Sequence, residues 1–137
     1  MALLDELGAY LQSHGVAAVG NTLFKGRLPL DTLENTVPVL ALIEVPGLPP
    51  VRSHDVPVAR YEQPVVQVAT RGAPYGYPAA RAAAQAAWDV LDGVQNASLS
   101  GTFYLWLQAL QSPYWLRTDD FQRPVLLFNV RCARALG

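Results

Sequence analysis

Residues 99–134 read LSGTFYLWLQALQSPYWLRTDDFQRPVLLFNVRCAR, and the period of their side chains decides the kind of fold. From Val125 to Ala133, Leu126, Phe128, Val130 and Cys132 alternate with Leu127, Asn129 and Arg131, which is the two-residue period of a β-strand. Thr102 to Gln111 admits two readings. Phe103, Trp106, Leu107 and Leu110 suit a helix face, whereas Phe103, Leu105, Leu107 and Ala109 suit one face of a strand. The Thr, Phe, Tyr and Trp content and the preceding Gly101 favour the strand. That reading turns Phe103, Leu105 and Leu107 inward and leaves Tyr104, Trp106 and Leu110 on the opposite face. An aromatic loop carrying Tyr114 and Trp115 is expected to join the two strands.

Working outward, Leu3, Leu4, Leu7, Tyr10 and Leu11 recur at helical spacing, with Asp5 and Glu6 near the positive helix end and Gly15 placed as a left-handed cap. A helix is expected over Ala2 to His14. Asn21 to Lys25 and Val37 to Val45 read as strands, and so does Pro64 to Thr70. The segment Pro46 to Pro57 contains five residues hostile to regular structure (Pro46, Gly47, Pro49, Pro50 and Pro57) and is expected to form a long projecting hairpin loop. Arg71 to Pro78 turns the chain into a second helix over Ala79 to Leu91. Ala80, Ala84, Ala87, Trp88 and Leu91 form its stripe, and Trp88 is expected to be its anchor.

The 137 residues fit one domain, 1–137, able to bury a core without staples. Charged residues make up only 15% against a usual ~25%, so part of the surface is expected to lie under another subunit. Net charge is −1 with no basic stripe, which argues against a nucleic-acid platform. The single cysteine, Cys132, excludes an intrachain disulfide and reads as a buried small hydrophobe. The N-terminal residues lack the basic region of a signal peptide, and no apolar run approaches the ~18 residues of a membrane span. A cytoplasm, or an assembly made there, is the expected setting.

Catalytic constellations are not evident. Ser53-His54-Asp55 has the letters of a hydrolase triad, but consecutive residues do not point at one another in the required relay. No His or Cys spacing suggests a metal, and no cofactor is expected. Arg71-Gly72 with Gly76 before the second helix admits an anion-binding turn, although Pro74 and Pro78 remove N–H donors from it. Asp119-Asp120 reads as a solvated tip or as a partner for Arg117 and Arg123. Five large rings (Phe103, Tyr104, Trp106, Tyr114 and Trp115) within thirteen residues are more than one small core easily buries. Exposed Tyr and Trp beside Arg have the composition of an interface hot spot. The expected subunit interface is therefore Arg71, Tyr75, Tyr77, Tyr104, Trp106, Tyr114, Trp115, Asp119, Asp120 and Arg123.

The order of these segments resembles the bacteriophage minor capsid and tail-terminator family of long-tailed phages. The likeness runs from about Leu4 to Arg134: a short first helix, PVVQVATRG ending in Arg71-Gly72, a helix with Trp88 and Leu91 near its end, then Leu99-Ser100-Gly101 opening an aromatic strand. Gln111-Ser112-Pro113-Tyr114, Asp119-Asp120-Phe121-Gln122-Arg123 and a last strand follow. The resemblance implies an α+β fold, with a mixed, mainly antiparallel sheet and both helices packed on one face. It also implies a structural virion protein without catalysis: a homohexameric ring at the junction of tail and neck that caps the tail tube, stops its polymerisation and meets the head–tail connector. Partners would be further copies of the chain, the tail tube protein and a neck protein, with no membrane and no sequence-specific nucleic acid. Another head–tail joining component, such as a stopper, and a small-molecule or anion-binding domain remain the alternatives.

Overall fold

The structure is a computed structural model and describes residues 2–29, 37–52 and 59–136. Among these residues two helices and seven strands follow in the order α1 (Leu3–Ser13), β1 (Leu23–Lys25), β2 (Val39–Arg52), β3 (Ala59–Arg71), α2 (Tyr77–Leu91), β4 (Gln95–Leu99), β5 (Thr102–Ala109), β6 (Tyr114–Thr118) and β7 (Pro124–Ala135). They form one sheet in the order β1-β2-β3-β7-β5-β4, with β6 also paired to β7. Among the described strands only β1 runs parallel to its neighbour; the other pairs are antiparallel. The fold is α+β, as the family resemblance implies.

Apolar alternation explains which face carries the helices. Leu40 and Leu42, Val66 and Val68, and Phe128, Val130 and Cys132 point to one side, where Leu3, Leu7 and Leu11 of α1 and Ala87 and Leu91 of α2 close over them. Leu126 meets Ala80 and Ala84 in the same way. The alanine stripe lets α2 lie close to the sheet. Trp88, expected to anchor it, is only half-buried: its Nε1 donates to the Gln111 carbonyl at 3.1 Å while the alanines and Leu91 take the core positions. Helix α1 ends as its glycine foretells. Gly15 has φ +72°, and the Val16 N–H donates back to the Leu11 carbonyl at 3.1 Å.

Three strand expectations need correction. First, β2 does not stop at Val45 but continues through Pro46, Pro49 and Pro50 to Arg52. Its register against β3 shifts after Val45, after Leu48 and after Val51, so the prolines sit in an irregular ladder on a sheet edge rather than in a loop. The end of that hairpin, Ser53-His54-Asp55 included, lies outside the described residues. Second, residues 114–118, expected to be loop, form β6 on β7. Third, β5 contains a bulge. Tyr104 faces Arg134 and Trp106 faces Ala133, so Leu105 is an extra residue. The bulge resets the alternation: Tyr104 and Leu107 both turn into the core, while Phe103 and Leu105, expected inside, are exposed. The sequence pattern also left β4 unread. Ser100 (φ +50°) and Gly101 (φ +85°) join it to β5 between the facing Leu99 and Thr102, a two-residue hairpin turn with both residues left-handed.

Candidate functional site

At one end of the sheet two turns lock together. The β3–α2 turn bonds to the β6–β7 turn through Gly72 N–H to the Pro124 carbonyl (2.9 Å) and Tyr75 N–H to the Gln122 carbonyl (2.8 Å). The fit is close because Gly72 has no side chain: a Cβ there would lie 2.8 Å from Ala80 Cβ and 2.9 Å from the Gly76 carbonyl oxygen. Within the second turn, Asp119 accepts from the backbone N–H groups of Phe121 (2.9 Å) and Arg123 (3.0 Å) and from Arg123 Nε (2.7 Å). Burial works against the Asp119 carboxylate, but these donors outweigh it and hold its pKa below the usual range. Arg123 is itself buried, with its guanidinium 5.0 Å from the Phe121 ring centroid.

Around this braced end the large side chains stand in solvent. Tyr75 is 83% exposed and Trp115 54% exposed; Tyr77, Tyr114, Leu116 and Phe121 are also exposed. All five residues of β6 are exposed, and its described pairing is to β7 alone. An exposed apolar edge strand is a template for another chain. Of the ten residues expected at an interface, Tyr75, Tyr77, Tyr114, Trp115 and Asp120 lie on this end as exposed groups. Asp119 is partly buried in the turn that presents them. Arg71 and Arg123 are buried, and the Arg71 guanidinium donates to the Pro29 carbonyl, so within one chain both act as braces beneath the surface. Trp106 is half-buried elsewhere, under the Arg131 guanidinium. Tyr104 is fully buried.

Tyr104 belongs to a network that sequence reasoning missed. Its hydroxyl donates to Glu6 Oε1 at 2.7 Å, Arg134 Nε donates to the same oxygen at 2.8 Å, and the Thr102 hydroxyl donates to Oε2. Arg134 also bonds Glu62 Oε1 at 2.7 Å. Burial pushes the Glu6 carboxyl up, but the bonds from Arg134, Thr102 and Tyr104 outweigh it and leave its pKa below the ordinary value. Burial, with the Glu6 carboxylate beside it, drives the Tyr104 phenol well above its own ordinary value. The group is a structural pin, because the carboxylate is closed off and already occupied. Its signal was present in the sequence: Glu6 sits in the apolar stripe, three residues after Leu3 and beside Leu7.

The turn admitted as an anion site directs its donors inward. The N–H groups of Gly72 and Tyr75 bond the β6–β7 turn, and that of Gly76 bonds Ala73. Cys132 is buried, and burial pushes its thiol up to about 12. Among the described residues no three His, Cys, Asp or Glu side chains gather as metal ligands, and no helix is long and apolar enough to cross a membrane.

Comparison with known proteins adds two findings. A family model described as bacteriophage tail terminator protein matches residues 10–135. A chain from the virion of a native gene transfer agent particle has a similar fold, with a TM-score of 0.67 at 19% sequence identity, over 98% of this chain and 96% of that one. No curated protein matches the sequence.

Proposed function

Since the chain belongs to the bacteriophage tail terminator proteins, structural components of the virion, we propose that its copies close into a ring that caps the tail tube. The ring, six-membered in this reading, stops tube polymerisation with one face and offers the other to the head–tail connector. It acts as one domain without catalysis, assembles in the host cytoplasm and ends at the junction of tail and neck.

The observation that carries the reading is the open β6 edge with the aromatic groups braced around it. A ring needs a heterologous contact, in which one patch meets a different patch on the next subunit. A surface of Tyr, Trp and Phe on rigid turns is suited to the centre of such a contact. The interface residues we assign to this end are Tyr75, Tyr77, Tyr114, Trp115 and Asp120, with Arg71, Asp119 and Arg123 supporting them from within.

Electron microscopy of particles assembled without this protein tests the role. Overlong tails are expected. Full heads without tails, beside tails of normal length, would instead mark a stopper or connector and overturn the terminator reading.

A further inference from the structure

Further along β7 from the aromatic turns, a groove of about 640 Å³ runs between β4, β5 and Arg131 of β7. Trp106, Leu105 and Arg131 are among its walls. Arg131 Cζ stands 5.0 Å from the Trp106 ring centroid, and its Nη2 lies 3.5 Å from Gln108 Oε1. Its Nε is buried without an acceptor. The indole face therefore orients a guanidinium that no carboxylate of its own chain neutralises among the contacts described. Asp92, which also lines the groove, accepts from the Ala109 N–H at 2.9 Å.

The complementary group is on the same molecule but out of reach. Asp120 is exposed at the tip of the β6–β7 turn, beside exposed Phe121, while its neighbour Asp119 is occupied by Arg123. Seven steps along β7 lead from Pro124 to Arg131, about 23 Å at the usual strand rise. A carboxylate and a guanidinium, each held on a rigid element and unable to meet within one chain, are placed to meet between two.

We propose that the β6–β7 turn of one subunit seats in the Trp106–Arg131 groove of a second copy. Asp120 accepts from the Arg131 guanidinium, and Phe121 packs against Leu105 and Trp106. Turn and groove are different patches, so the contact is head-to-tail and propagates around a ring. This inference rests on the ring-forming reading above and names the receiving surface that reading leaves open.

Charge reversal tests it. Asp120→Arg and Arg131→Asp, measured by native mass spectrometry on the full chain, should each weaken ring assembly by about tenfold or more. The double reversal should restore rings. A second test does not depend on Arg131: Phe121→Cys and Leu105→Cys variants, mixed and oxidised, should give a covalent dimer on a non-reducing gel, with buried Cys132 silent. Rings that tolerate both single reversals, or that form without the cross-link, overturn the groove contact and leave the ring standing. A native protein that stays monomeric even with tail tubes overturns the ring itself, and the groove contact with it.

Discussion

Glu6 shows how one side chain read only as a charge near the helix end fixes the position of a helix. An acidic residue in a first turn is ordinarily explained by the helix dipole, and Asp5 fits that explanation, facing Lys25 at the exposed side. Glu6 is one residue further round, on the buried stripe, and is stable there only because three donors converge on it. Tyr104→Phe keeps the packing and removes one donor, so it should lower stability by about 1–3 kcal/mol in urea unfolding. The pH dependence follows in sign. The folded pKa values of Glu6 and Asp119 are depressed, so their contribution is full above the unfolded carboxylate range and lost as pH falls through the folded values. Melting temperature should hold from about pH 7 to about pH 5 and then drop. Glu6→Gln should be less stable than the native protein at neutral pH, with the gap narrowing in acid; a gap independent of pH would contradict the assignment.

At the scale of elements, periodicity located both helices and most strands, because half-buried strands and amphipathic helices write their burial into the order of residues. It failed where an element breaks its own period. The Leu105 bulge inverted the inside and outside of the first half of β5, and no alternation rule announces a bulge. In β6 all five residues are exposed, so there is no alternation to read, and Tyr114-Trp115 passed for a loop. The prolines of β2 hid a strand that tolerates them at an edge. Helix α2 gives a further test. Its contact with the sheet is made by small side chains, so Ala84→Leu should cost about 1–3 kcal/mol through overpacking. Trp88→Ala should cost about 2 kcal/mol, less than the ~3–5 of a fully buried ring. Thermal melts of the two variants check the assignment of anchor and cap.

For the whole molecule, the informative contrast is between its sheet edges. Along β2 the edge carries three prolines, and in β4 it is short and polar with left-handed Asn96. Both discourage pairing. The β6 edge is equally short, but it has no proline, and Tyr114, Trp115 and Leu116 stand exposed along it. The abundance of rings was legible in the sequence, but which rings are free was not, since that depends on the bulge and on turns packed from distant segments. Trp115→Ala should weaken rings in native mass spectrometry while leaving the circular dichroism and melting of the subunit unchanged. A melting loss equal to the assembly loss would make Trp115 a core residue instead.

The place of β7 has a consequence for timing. The most C-terminal of the described strands lies in the middle of the sheet, between β3 on one side and β5 and β6 on the other. Arg134, near its end, is the counter-charge for Glu6, 128 positions earlier. A nascent chain therefore has neither a closed core nor a braced β6 until its synthesis passes that strand, and contacts of such long range are slow to form. The β6 edge proposed for docking has no partner strand before β7 is made. Under the ring reading proposed above, topology keeps neighbouring nascent chains from joining through that edge until each has made β7.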